Sequence, residues 1–266
     1  MATYDSLQND LRAFGCKSSD TILIHASMKS IGPVVGGADT VLDVLSDYFR
    51  DGLLVLPAHT WSYIDAHNPV FDVRESKTCV GVLTELFRHR PGVYRTLHPT
   101  HSLCALGRDA ASFTAGQERF STPCSPFSCY GKLEQRDAVV LMIGVDFSRN
   151  TLVHCIEEVA QVSRRMTDRY EKLYVRDADG RKTLVLSRRH NHANSENYVK
   201  LQPVMLQKGL LHTGKFGEAP CFYFRAQDLF AVTLDLLWRC PRLFDDDSPV
   251  PPALLAAAET PAGKEL

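Results

Sequence analysis

The chain has 266 residues, 44% hydrophobic and 23% charged, with 30 Lys+Arg against 31 Asp+Glu and a net charge of −1. At this length folding buries roughly 70–75% of the unfolded surface, so the core needs no metal or disulfide staple. The charge balance excludes bulk electrostatics toward nucleic acid or an anionic membrane, no apolar run reaches the roughly 18–20 residues of a membrane helix, and residues 1–10 lack a signal-peptide core, so a cytoplasmic setting is expected.

Residues 4–14 read as an amphipathic helix with Leu7, Leu11 and Phe14 on one face. Thr21-Ile22-Leu23-Ile24-His25 is a near-continuous apolar run, which suits a strand buried on both faces. A glycine-bearing loop follows, His25 to Gly32 and then Gly36-Gly37-Ala38-Asp39-Thr40, before a helix over 38–50. A strand over 53–56, a polar and aromatic loop over 58–78 and a helix over 78–88 come next. Strands over 102–106 and 138–143 and a helix over 150–162 continue the alternation. This pattern predicts an α/β class with a mixed, largely parallel central sheet. Residues 173–175 and 183–186, joined by Asp177-Ala178-Asp179-Gly180, read as an antiparallel hairpin. Helices near 197–209 and 226–238 close a single domain over 1–245, with a mobile tail over 246–266.

Eight cysteines, at 16, 79, 104, 124, 129, 155, 221 and 240, include no C-x-x-C pair and read as reduced filler thiols. Cys124 stands apart in Ser121-Thr122-Pro123-Cys124-Ser125-Pro126, a loop composition more suited to chemistry than a core strand. The loop over 26–40 offers hydroxyls and free amides that suit a phosphate. Leu97-His98-Pro99-Thr100-His101-Ser102 crowds histidines and hydroxyls in front of a strand, where the rule for parallel sheets does not place it at the ligand crevice. In Asn150-Thr151-Leu152-Val153-His154-Cys155-Ile156-Glu157-Glu158 the asparagine is a credible cap, and His154 shares a helix face with Glu157 or Glu158. Arg188-Arg189-His190-Asn191-His192 ends a basic stretch that reads either as solvated surface or as an anion-attracting rim.

These segments, in this order and spacing across residues 5–240, resemble the aminoglycoside 3-N-acetyltransferase family. The likeness rests on His25-Ala26-Ser27 with Gly36 to Thr40, Phe71-Asp72, Arg90-Pro91-Gly92-Val93, His98 to Ser102, and Gly144-Val145 followed by Asn150-Thr151 and His154. It implies a three-layer α/β/α sandwich and transfer of an acetyl or other acyl group from a CoA thioester to a small-molecule amine. An acyl carrier protein is an alternative donor. It places His25, Ser27, Ser30 and Thr78 along the CoA channel, Thr100 and Ser102 near the thioester, and Asp72, Glu157 and His192 toward the acceptor. No metal is expected, and oligomeric state is left open.

Two mechanisms follow. A histidine, His98, His154 or His190, deprotonates the amine directly, or Cys124, activated by His190, forms an acyl-cysteine first. The second is favoured because cysteine and histidine depart together from the family pattern. His190 and His192 stand where relatives acting on aminoglycosides carry acidic residues, so Arg188, Arg189, His190 and His192 are expected to repel a polycationic acceptor. A metal-dependent hydrolase site built from His98, His101, His190, His192 and Cys124 is a remoter alternative.

Overall fold

The computed structural model describes residues 1–191 and 194–257. Its strands are β1 (Thr21–Ala26), β2 (Leu53–Pro57), β3 (Val70–Asp72), β4 (Tyr94–Arg95), β5 (Leu103–Gly107), β6 (Val139–Ile143), β7 (Glu171–Arg176), β8 (Lys182–Ser187), β9 (His212–Phe216) and β10 (Ala219–Arg225). Seven of them form one sheet in the order β4-β5-β2-β1-β6-β10-β9, and β3-β7-β8 form a second. The sheet is mixed, but its parallel part is confined to the central β2-β1-β6. β5 and β10 join that triplet antiparallel, and β4 and β9 extend it antiparallel again. The expected hairpin is β7-β8, with β3 added alongside β7 in parallel.

The three layers follow from the period-2 alternation of strand side chains. In β1, Leu23 points to one face while Ile22 and Ile24 point to the other. β2 and β6 repeat the pattern, with Val55, Val140 and Met142 on the first face and Leu54, Leu56 and Leu141 on the second. Helices Tyr4–Ala13, Gly37–Tyr48 and Val82–Phe87 cover the second face, burying Leu7, Leu11, Leu42, Leu45 and Phe87. Helices Cys129–Gln135, Leu152–Val159, Leu201–Gln207 and Ala226–Arg239 cover the first. As far as it is described, the segment after Asp245 packs against this layer. Val250 is buried there, and Leu254 and Leu255 in helix Pro252–Ala257 pack on the core. No helix among the described residues is long and apolar enough to cross a membrane.

Gly144, just after β6, has φ +63° and donates its N–H to the Pro220 carbonyl at 2.8 Å. Its carbonyl accepts from Ser30 Oγ at 3.1 Å, tying the loop after β6 to the loop after β1. A Cβ at this position would lie 2.2 Å from Ser30 Cβ. Gly144→Ala is therefore expected to cost roughly 2–4 kcal/mol from backbone strain and overpacking together. Urea denaturation measures it, and an unchanged midpoint would contradict this packing.

Candidate active site

The carboxyl ends of β1, β2 and β6 open on one edge of the sheet, the place where an α/β sheet leaves a ligand crevice. A cavity of about 740 Å³ lies there, lined by His25 to Lys29 at the end of β1 and just after it, Pro57 at the end of β2 with His59 and Trp61 beyond it, and Val145 with Ser148 to Thr151 after β6. Thr100 and His101 line it as well, although their loop precedes β5. The antiparallel pairing explains this, because Leu103 at the start of β5 faces Pro57 at the end of β2.

Helix Leu152–Val159 starts at the cavity, where Asn150 Oδ1 accepts from Leu152 N–H at 3.2 Å. One turn in, His154 lines the cavity and its Nδ1 faces backward. That nitrogen lies 3.2 Å from Glu157 Oε2 and 2.7 Å from the Tyr198 hydroxyl. Glu157 is 1% exposed and receives Arg165 through both oxygens, at 2.7 and 2.6 Å. Tyr198 donates to Glu157 Oε2 at 2.5 Å. Burial pushes the Glu157 carboxyl up, but the His154 hydrogen bond and the charge and hydrogen bonds of Arg165 together outweigh it and hold it below its ordinary value. With Tyr198 O–H spent on the carboxylate, His154 Nδ1 carries the proton. Its Nε2 lone pair is left with no partner among the described residues.

His190 stacks on His154 with ring centroids 4.0 Å apart and 19° between planes. Its Nε2 lies 3.5 Å from Glu158 Oε1, and burial lowers its pKa to about 4. His98 is a loop organiser outside the cavity lining. Its Nδ1 accepts from His101 N–H at 3.0 Å, its Nε2 faces the Thr122 carbonyl at 3.1 Å, and burial lowers its pKa to about 4. His25 lines the cavity with its Nε2 buried and unpartnered, and burial lowers its pKa to about 3.

Several expected residues sit elsewhere. Ser27 and Thr100 line the cavity, whereas Ser30 bonds Ser27 Oγ at 2.9 Å from outside the lining. Thr78 bonds Val80 N–H, and Ser102 is fully buried against the Ala58 carbonyl. Asp72 is turned away, capping the turn at Arg74 and Glu75 and pairing with Arg176 at 3.4 Å. His192 lies outside the described residues. Cys124 is fully buried in the core cluster and does not line the cavity. Burial, then the Glu158 charge, push its thiol well above its ordinary pKa, the opposite of what a nucleophile needs.

Among the described residues the hydrolase set does not assemble. Cys124, His190 and Glu158 bring ligand atoms within 4.8 Å of one another, but His98 and His101 do not join them. The two arginines of the expected rim are both engaged by acceptors of the fold. Arg189 pairs with Glu171 at 2.7 Å and donates to the carbonyls of Trp61 and Ile64. Arg188 Nε is bonded to the Thr167 carbonyl at 2.5 Å. Sequence reasoning missed Arg165, Tyr198, Trp61, His59, Lys29 and Arg149. Tyr198 meets Glu157 across forty-one residues and Arg165 across eight, in the turn after the helix, and no local motif marks either.

The profile of the family described as aminoglycoside 3-N-acetyltransferase matches residues 23–237. The chain is similar to aminoglycoside N(3)-acetyltransferase III of Pseudomonas aeruginosa, 30% identical over 86% of this chain and 92% of that protein. It is 31% identical over 58% of its length to a prophage-derived aminoglycoside N(3')-acetyltransferase-like protein, YokD, of Bacillus subtilis, covering 64% of it. Among solved structures it resembles AAC-IIIb in its binary complex with CoASH, with TM-score 0.79, 25% identity and coverage of 90% and 97% of the two chains. A mutant of aminoglycoside acetyltransferase AAC(3)-IVa in complex with a gentamicin matches with TM-score 0.80, 26% identity and coverage of 91% of each chain.

The neutral buried histidines make stability depend on acidity. Unfolded, each binds a proton near pH 6.5; folded, His25, His98 and His190 bind one only near 3 or 4. Their contribution is complete above about pH 6.5 and is lost as pH falls toward 4, at up to about 1.4 kcal/mol per pH unit for each proton. Denaturant titrations between pH 7 and pH 5 are expected to show this loss, with a shallower slope in His98→Gln. Equal slopes would contradict the assignment.

Proposed function

Because the chain belongs to the aminoglycoside 3-N-acetyltransferase family, we propose that it moves the acetyl group of acetyl-CoA onto a primary amine of a small molecule, with His154 as the base. The observation that carries this reading is the His154 imidazole, exposed to the cavity through Nε2 and backed by an ionised Glu157. The incoming ammonium gives its proton to Nε2, and the positive charge formed is balanced by the carboxylate behind it. The neutral amine attacks the thioester carbon, the carbon–sulfur bond breaks, and the proton the nitrogen sheds on becoming an amide passes to the departing CoA thiolate, while the proton held by His154 is released to solvent.

The donor fits the crevice chemically. Lys29 and Arg149 are exposed at the cavity with no partner among the described residues, which suits the phosphates of CoA. The Asn150 side chain lines the cavity and its Nδ2 is buried without a partner, a donor suited to the thioester oxygen as negative charge develops there. His190 is a weak base with its pKa near 4 and stacks on His154, so it positions that ring. Cys124 takes no part, since its buried thiol has no path to the thioester.

His154→Ala is expected to lower kcat by about 10²–10⁴-fold while acetyl-CoA binding changes little. Lys29→Ala with Arg149→Ala is expected to raise the KM for acetyl-CoA about tenfold with kcat nearly unchanged. Cys124→Ala is expected to turn over at close to the wild-type rate. Near-normal turnover in His154→Ala, or an acylated Cys124 seen by intact mass, would overturn the assignment.

A further inference from the structure

We infer that the acceptor is a hydroxylated small molecule with a single amine, of the amino-sugar type, and not a polycation. This rests on the transfer reaction proposed above and concerns the walls of the same cavity. Among the described residues that line it, none is a carboxylate. The charged side chains there are Lys29, Arg149 and Arg189. Arg189 is tied to Glu171 at 2.7 Å, and the other two suit the donor's phosphates.

The carboxylates close to the lining are already engaged: Glu171 holds Arg189, and Asp146, in the adjoining recess that shares Val145, Ser148 and Arg149, accepts from Ser148. Glu157 is screened by His154 and already holds Arg165 and Tyr198. Glu158 is screened by His190 and accepts from the Cys124 N–H at 2.9 Å. One ammonium at His154 is served by Glu157 through the imidazole. Second and third ammonium groups would leave water with no counter-charge, which is unfavourable in a recessed site.

What the wall does present is neutral. His59, His101 and His190 form a run of imidazoles, with ring centroids 4.7 Å apart for His59 and His101 and 5.4 Å for His101 and His190. Burial holds all three well below the ordinary histidine pKa, and with His59 Nε2 on the Tyr130 hydroxyl at 2.8 Å, His101 Nδ1 on Thr100 Oγ1 at 3.0 Å and His190 Nε2 facing Glu158, each has one uncharged ring nitrogen left for a ligand. The Thr100 and Thr151 side chains also line the cavity, and the Trp61 indole lines it while half-exposed. An apolar aromatic face beside neutral hydrogen-bonding groups matches a ring of alternating C–H and O–H groups.

The test uses the full-length enzyme with acetyl-CoA and follows CoA thiol release. The acceptors are glucosamine, galactosamine and mannosamine, gentamicin and kanamycin, and hydroxylamine as an uncharged nucleophile. The best single-amine sugar is expected to exceed the best aminoglycoside in kcat/KM by about a hundredfold or more. In Ser195→Asp, which puts a carboxylate on the wall, that preference is expected to shrink about tenfold. An aminoglycoside used as well as the best single-amine sugar would overturn the inference and leave the reaction standing. Transfer to hydroxylamine alone would overturn the hydroxylated-amine class and also leave the reaction standing. No transfer to any of the six would overturn the reaction itself.

Discussion

The site depends on one buried carboxylate. Glu157 sits inside the protein at 1% exposure, and it is kept ionised because Arg165, Tyr198 and His154 together satisfy its oxygens. An unpaired charge at that depth would cost several kcal/mol, so the four side chains stand or fall as a unit. They come from helix Leu152–Val159, from the segment leading to β7, and from the 3₁₀ helix Asn194–Lys200. The same charge that joins these segments selects the His154 tautomer, and the tautomer leaves a basic nitrogen facing the cavity.

The sheet puts that nitrogen next to everything else. β1 lies between β2 and β6 with all three parallel, so three loops leave the sheet at one edge. Antiparallel β5 and β10 start at that edge, which brings Thr100 and His101 to the crevice and packs Ala219 beside Gly144. The mixed topology therefore crowds more loops onto one edge than a purely parallel sheet would supply.

Much of this was legible from residue order. The apolar runs at 21–25, 53–56 and 138–143 are the central strands, and Asn150 with His154 marked the helix that carries the base. β9 was not legible, because His212 to Lys215 form an exposed polar edge strand whose partner is supplied by long-range pairing. β3 and β4, of three and two residues, are likewise made by their partners. Cys124 misled for a physical reason. Its proline-rich loop has the composition of an exposed turn, yet Arg188 N–H bonds Ser121 across it and Glu158 takes the Cys124 N–H, so the loop is closed over. The charges of Arg188 and Arg189 also read differently in sequence, where their backbone acceptors and Glu171 are out of view.

The most direct test of this account is kcat for Glu157→Gln, measured on protein shown by circular dichroism and acetyl-CoA binding to be folded. The amide keeps the size of the side chain but removes the charge that fixes the His154 tautomer and balances its imidazolium. A fall of about 10²–10⁴-fold with acetyl-CoA affinity retained is predicted. Wild-type kcat in that variant would contradict the account.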